Sequence, residues 1–359
     1  MTNLVLKFVM KISKDGGDCR NKTRTKFISQ FLLRMGKKQT AFLRVKTQSE
    51  LVGVRTEFSF NQVKKLNTIK TMTAKIIDGK KIAQNLKDKI AKEVKILKTT
   101  KNITPTIAVI LVGDDPASKI YVGAKERQAK EVGMNSVKIN LPNTISELEL
   151  LNKIKTLNSD PKIHAILVQL PLPKHINSDQ IIETIDPNKD VDGFHIINVG
   201  KLTLGKIDEA TIPCTAIGSL HLINEIEPNI SGKNILVIGS SNIVGMPLSR
   251  LLMHQKATVT IANSKTRNLK FLCQNSDIII SATGVSNLIT ADMVHENSII
   301  IDVGINRITK DDGSTKLVGD VDFDNCYPKV KAITPVPGGV GPMTIAYLLQ
   351  NCLNLCNKR

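Results

Sequence analysis

The sequence predicts an α/β protein of two domains, each built mostly on parallel strands, and three observations lead there. The 359 residues are 41% apolar and 23% charged, an ordinary globular composition with length for about two domains at roughly 100 to 200 residues each. From residue 80 the apolar residues alternate between helical and strand periods, the mark of a layered α/β structure. Four β-rich runs, Asn234 to Ile238, Thr258 to Ala262, Asp277 to Ser281 and Ser298 to Val303, then begin about twenty residues apart, enough for one crossover between parallel strands.

The first 71 residues are a different polymer. They hold 16 Lys and Arg against 4 Asp and Glu, and so carry +12 of the chain's +18. They contain no proline, whereas all 14 prolines lie from Pro105 onward, and they contain six of the nine Phe. A boundary at about Met72 follows. Three readings compete for this extension: an organelle-targeting segment, a basic nucleic-acid arm, or translation assigned upstream of a true start at Met72. It is expected to be disordered or to precede the true start. The remaining 288 residues are only mildly basic, at +6, so the charge does not point to nucleic acid as a partner. No stretch reaches the ~18 apolar residues of a membrane helix. The six cysteines lack C-x-x-C pairs and His partners, which predicts no metal site and a reduced, cytoplasmic compartment, organelle targeting through residues 1–71 being the alternative.

In order along the body, a helix from Lys80 to Leu97 leads to a strand at Thr106 to Val112. Gly113 to Pro116 is a turn, and Ser118 to Val132 reads as helix. Strands at Val137 to Leu141 and His164 to Gln169 flank a helix at Ser146 to Leu157. A helix from Ile217 to Ile226 opens the second series, whose four β-rich runs read as half a doubly wound nucleotide-binding domain. The segment Pro335 to Gly341 packs two Pro and three Gly into seven residues, which predicts a shaped loop and neither helix nor central strand. Thr344 is expected to cap a closing helix, Ile345 to Leu353, on which Cys352 and Cys356 form a buried i, i+4 face.

Several of these places can carry chemistry. Gly239-Ser240-Ser241-Asn242-Ile243-Val244-Gly245 joins the first strand of the second series to a helix opened by Met246-Pro247, and so offers free backbone N–H groups to a diphosphate. The G-x5-G spacing also suits a tight turn that merely needs glycine. The next strand ends in Ala262-Asn263-Ser264-Lys265-Thr266-Arg267, with no acid to hold a ribose 2′-OH and with groups that could receive a 2′-phosphate, which favours NADP while leaving NAD possible. Tyr121 and Lys125 are i, i+4 on one helix face. An amine beside an aromatic loses hydration and becomes available for proton transfer, although the same spacing suits a charged surface helix. Tyr-x-x-x-Lys also occurs in short-chain dehydrogenases, but there it follows the glycine turn, whereas Tyr121 precedes Gly239 by 118 residues. Gln169 ends an apolar run before Leu170-Pro171-Leu172-Pro173, and Asp190-Val191-Asp192-Gly193 places carboxylates on a glycine turn.

Taken in order, Tyr121-x-x-x-Lys125, Val168 to Pro173, Lys189 to Gly193, Pro213-Cys214-Thr215, Gly239 to Gly245, Gly304-Ile305-Asn306 and Pro335 to Thr344 closely resemble the bifunctional methylenetetrahydrofolate dehydrogenase/methenyltetrahydrofolate cyclohydrolase family, over about residues 75–358. The resemblance implies a catalytic folate-binding domain at 72–215, completed by a C-terminal helix at 346–359, and a Rossmann-type NADP-binding domain at 216–345, with a cleft between them. It implies a homodimer acting on tetrahydrofolate derivatives, and a place in purine and methionine biosynthesis. By the same resemblance Lys125 is the general acid/base, Gln169 is its partner, Tyr121 stacks on the folate, and Asp192 with Pro335, Gly338 and Gly339 binds it. Gly239, Ser240, Ser241, Ser264 and Ile305 fall at the coenzyme positions. Ser240 departs from members with an Arg there, which bears on NADP against NAD.

Overall fold

The computed structural model of the chain describes residues 40–46, 51–57, 74–309 and 313–358. The chain divides into two compact units, Met1–Lys70 and Thr71–Arg359. Of the first, two strands are described, β1 (Thr40–Lys46) and β2 (Leu51–Glu57), paired antiparallel. The expectations for residues 1–71 otherwise fall outside the described residues.

The second unit opens with β3 (Lys75–Ile76) and α1 (Gly79–Lys101). Asp78 caps α1 by accepting from the Lys81 N–H at 3.1 Å, and Asn102, at a φ of 54°, ends it. Next come β4 (Thr106–Val112) and α2 (Pro116–Glu131), the helix started by Asp115, which accepts from the Ser118 N–H at 2.7 Å, and by Pro116 in its first turn. After β5 (Asn135–Leu141), a Ser146/Glu149 capping box starts α3 (Glu147–Ser159), and β6 (Ala165–Val168), α4 (Ser178–Thr184), α5 (Ile196–Thr203) and α6 (Cys214–Asn224) follow. The strands β5, β4 and β6 form a parallel sheet in that order. Every residue of β4 is buried, as befits an apolar central strand covered on both faces.

The second series supplies β7 (Asn234–Ile238), α7 (Gly245–His254), β8 (Thr258–Ala262), α8 (Leu269–Gln274), β9 (Ile278–Ser281) and β10 (Ile299–Asp302). A hairpin of β11 (Asn306–Thr309) and β12 (Thr315–Val318), then α9 (Phe323–Cys326), β13 (Ala332–Ile333) and α10 (Val340–Asn357), complete it. All four β-rich runs are strands at the expected places. They lie in a six-stranded parallel sheet of order β3-β13-β10-β9-β7-β8. Because β7 lies between β8 and β9, the chain leaves it first in one direction and then in the other, and the ends of β7 and β9 flank a switch point where open α/β sheets bind ligands.

The closing helix differs from expectation. It begins at Val340 rather than Ile345, so part of the Pro- and Gly-rich segment is helical and Thr344 lies inside the helix instead of capping it. Pro342 falls in the first turn, where its missing N–H breaks no helical bond. The first half of α10 (Val340, Met343, Ala346) packs into the core of the large sheet, and its second half (Leu349, Cys352, Leu353) into that of the small one. Among the described residues, no helix is long and apolar enough to cross a membrane.

Candidate active site

The small sheet assembles the first group. β4 feeds the turn into α2, which displays half-buried Lys125 and exposed Tyr121. β6 pairs with β4 and is followed by Gln169, whose backbone N–H donates to Ile110 O at 2.9 Å. Lys125 Nζ donates to Gln169 Oε1 at 3.0 Å. The Gln169 amide nitrogen donates to Leu170 O at 2.7 Å, which leaves its oxygen as the atom facing the lysine.

Asp192 comes to the same place on the turn that follows a parallel bridge between Ile166 and Asp190. Desolvation raises its carboxyl to a pKa of about 6; the Lys125 charge pulls the other way and Asp190 pushes with it. Buried Asp190 accepts from the N–H groups of Gly193 and His195 at 3.0 and 2.9 Å and from the Asn198 amide at 2.9 Å, and so ties the turn together. Gly193 has a φ of +72°, and a Cβ there would stand 2.5 Å from Thr211 O, so this position requires glycine. Cys214 is buried beside the group, and burial with the nearby Asp192 charge lifts its thiol far above the usual range, which removes it as a nucleophile.

The loop 335–339 leaves β13 and enters α10. Gly338 O accepts from the Lys80 N–H at 3.1 Å, and Gly339 is packed against Gly79. Just inside α10, the hydroxyls of Thr344 and Thr215 meet at 3.1 Å, joining α10 to the start of α6 beside Cys214.

At the carboxyl end of the large sheet, Gly239, Ser240 and Ser241 follow β7, Ser264 follows β8 and Ile305 follows β10, all after parallel strands. A Cβ on Gly239 would stand 2.3 Å from Ala282 O, and one on Gly245 1.8 Å from Gly239 O. The G-x5-G turn is therefore closed on its own backbone. α7 starts from it without a side-chain cap; the Val244 N–H donates to Ser241 Oγ at 3.3 Å and the Met246 N–H to Ser241 O at 3.0 Å, and the remaining N–H groups of the turn can face a diphosphate. The turn after β8 is held by Asn263, whose N–H donates to Thr266 Oγ1 at 2.8 Å and whose side chain accepts from the Lys265 N–H at 2.9 Å, and Ser264, Lys265 and Arg267 stand exposed.

Residues 77–192 match the family described as tetrahydrofolate dehydrogenase/cyclohydrolase, catalytic domain, and residues 213–359 match its NAD(P)-binding domain. The chain belongs to the tetrahydrofolate dehydrogenase/cyclohydrolase family. The bifunctional protein FolD of Cereibacter sphaeroides is 53% identical over 285 residues, covering 79% of this chain and 95% of that protein. FolD of Wolbachia pipientis is 52% identical over 278 residues, covering 77% and 94%. Among solved structures, the bifunctional FolD methylenetetrahydrofolate dehydrogenase/cyclohydrolase from Campylobacter jejuni superposes with a TM-score of 0.77 at 46% identity, over 80% of this chain and 99% of that one. The Trypanosoma brucei N5,N10-methylenetetrahydrofolate dehydrogenase-cyclohydrolase, solved with an NADP cofactor and inhibitor, gives 0.75 at 34% identity over 80% and 98%. As a member of this family the chain is a bifunctional enzyme, a methylenetetrahydrofolate dehydrogenase and methenyltetrahydrofolate cyclohydrolase.

In this dehydrogenase/cyclohydrolase the structure brings Lys125, Gln169 and Asp192 together, and gathers the glycine turn, Ser264 and Ile305 along the end of the large sheet. Sequence reasoning missed Asn351, buried on α10, whose amide donates to Val191 O at 3.0 Å and Ile212 O at 2.9 Å. A lone Asn among the apolar positions of that helix is the one signal that could have found it. Lys189, which opens the Asp190–Gly193 motif, is buried and donates to Leu157 O and Asp160 O, both at 2.8 Å, capping the end of α3.

Proposed function

We propose that both reactions run at one folate site, with Lys125 as the proton-transfer group and Asp192 as the acceptor for the pterin ring. The Lys125–Gln169 contact of 3.0 Å, with Asp192 close enough to feel the lysine charge, carries this reading. Water adds to the methenyl carbon, and Lys125 takes a proton as the carbon–oxygen bond forms. Lys125 then returns a proton to N5 as the carbon–N5 bond breaks, and the remaining hydroxyl proton leaves to give the 10-formyl product. Gln169 keeps the amine aimed, because its own orientation is fixed by Leu170 O. Tyr121, exposed one turn away, is placed to stack on the folate, while Pro335, Gly338 and Gly339 wall it in.

When bound, the nicotinamide coenzyme supplies the hydride acceptor for the oxidation. The Gly239–Gly245 turn with Ser240 and Ser241 would hold the diphosphate, Ser264 with Lys265 and Arg267 the ribose phosphate, and Ile305 the ring. The exposed cations beside Ser264, and the lack of an acid there, support NADP over NAD even though Ser240 brings no charge of its own. Hydride transfer needs neither acid nor base, so these residues only bind and orient.

On this reading residues 72–215 with the helix residues 346–359 form the folate domain, apart from β3, which pairs with β13 at the edge of the large sheet, and 216–345 form the Rossmann-type domain. Packing of α10 into both cores supports a cleft between the two. Buried cysteines outside any disulfide, at Cys214, Cys273, Cys326, Cys352 and Cys356, agree with a reducing, cytoplasmic setting, where the product would serve purine and methionine synthesis. Exposed Ile196, Ile197 and Leu204 at α5 offer apolar surface to a second copy in a homodimer.

An absorbance assay of the chain with methylenetetrahydrofolate and each coenzyme tests the reaction. Lys125→Ala is expected to lower methenyl hydrolysis by about 10²- to 10⁴-fold. Hydrolysis at the wild-type rate in that variant would sink the lysine's role.

A further inference from the structure

Two carboxylates lie buried beneath the end of the large sheet. Asp302, at the end of β10, is 3% exposed, and Asp320, just after β12, is fully enclosed. Asp302 accepts from the backbone N–H groups of Gly304, Asp320 and Val321, each at 3.0 Å. Asp320 accepts from Ser281 Oγ at 3.0 Å, Thr283 N–H at 2.7 Å, Thr283 Oγ1 at 2.9 Å, Gly284 N–H at 3.3 Å and Asn306 Nδ2 at 3.0 Å. Every donor is neutral. Among the described residues, no ion pair includes either carboxylate. Two buried acids without a cation are costly, and a fold that only needed packing would be served by apolar side chains.

The glycines around them are shaped to the pair. A Cβ on Gly304 would stand 2.0 Å from Asp320 Oδ1, and one on Gly319 1.8 Å from Asp302 Oδ2. In Gly304-Ile305-Asn306 the outer residues are therefore held by the carboxylates, Gly304 by close approach and Asn306 by its amide. Ile305 between them is left 45% exposed at the carboxyl end of β10. The other donors to Asp320, Ser281, Thr283 and Gly284, belong to the end of β9, on the flank of the switch point.

We propose that Asp320, braced by Asp302, is a positioning residue for the dehydrogenase: it fixes Ile305 and the 283–284 backbone against the nicotinamide, and its buried charge favours the cationic, oxidised ring over the neutral, reduced one. This rests on the reading of Ile305 as a coenzyme position. The two effects separate experimentally. Asn306→Ala removes one tether of Ile305 and leaves both carboxylates in place. Asp320→Asn removes a charge and keeps most of the shape.

The test uses the full chain, with NADP+ and NADPH affinities from calorimetry and methenyl hydrolysis without coenzyme as a measure of an intact folate site. Wild-type turnover of methylenetetrahydrofolate with NADP+ comes first, since its absence would overturn the coenzyme reading itself and not merely this inference. In Asp320→Asn, NADP+ affinity is expected to fall by ~10-fold more than NADPH affinity, with hydrolysis retained. Asn306→Ala is expected to weaken both forms by the same several-fold factor. Equal weakening of the two forms in Asp320→Asn overturns the charge effect. Unchanged coenzyme affinity in Asn306→Ala overturns the positioning, and that variant decides the positioning if Asp320→Asn does not fold. Parallel loss of hydrolysis and coenzyme binding in both variants overturns the proposal in favour of a purely structural role.

Discussion

Asn351, near the end of the last helix, donates a 3.0 Å hydrogen bond to the carbonyl of Val191, the residue before Asp192. The turn that carries Asp192 is thus held from behind by a side chain 160 positions beyond Val191. Asn351→Ala would leave the carbonyl of Ile212 without its amide donor and that of Val191 with only the Cys214 thiol at 3.6 Å, at about 1–3 kcal/mol. The expected result is a lower melting temperature by calorimetry together with a raised KM for folate and an unchanged affinity for coenzyme. A variant whose folate KM matches wild type would show that the turn does not depend on this support.

The elevated carboxyl of Asp192 gives the folate site a pH signature. With a pKa of about 6 in the free enzyme, it takes up a proton as pH falls through that value. Proton and pterin donors then compete for the same oxygens, so folate affinity is expected to fall on the acid side and to level off well above pH 6. Asp192→Asn should bind folate weakly and without that acid-side decline. Titrations of a folate ligand between pH 5 and 8 would decide, and a wild-type affinity flat across the window would count against the ionised carboxylate as the acceptor.

Gly245→Ala addresses the coenzyme turn. Its Cβ would stand 1.8 Å from Gly239 O, so the backbone must move, at about 1–3 kcal/mol. NADP binding is expected to weaken by ~10-fold or more while methenyl hydrolysis, assayed without coenzyme, continues near the wild-type rate. Equal loss of both would mean that the turn serves the fold rather than the coenzyme.

Much of this is legible in the sequence. The strand at Thr106–Val112 and the helix after the Gly113 turn stand where local pattern puts them, the helix starting at Pro116 rather than Ser118, and β7 to β10 lie where the apolar runs place them, because each depends on residues close in sequence. The start of α10 departs from the sequence expectation because Pro and Gly argue against a helix interior, yet Pro is acceptable in a first turn. The supports behind the site left no pattern at all. Asp320 reaches Ser281 across 39 positions and Asn351 reaches Val191 across 160, and hydrogen bonds of that range carry no periodicity. Lys189 reads as a charged member of a catalytic motif, whereas its ammonium is spent on the end of α3.

That last assignment has its own test. Lys189→Met keeps much of the buried volume but removes the ammonium's hydrogen bonds to the carbonyls of Leu157 and Asp160, each of which keeps one backbone donor, at about 1–3 kcal/mol. Thermal stability is expected to drop while the ratio of dehydrogenase to cyclohydrolase activity stays constant. A changed ratio with unchanged stability would return Lys189 to the chemistry.

The sharing of α10 between two cores has a consequence for how the protein comes into being. Val340, Met343 and Ala346 close one core, and Leu349, Cys352 and Leu353 close the other. On the ribosome, neither half can seal its interior until this helix has left the exit tunnel. Both halves must therefore wait, partly open, for the same stretch of newly made chain, and the two activities mature together once it has emerged.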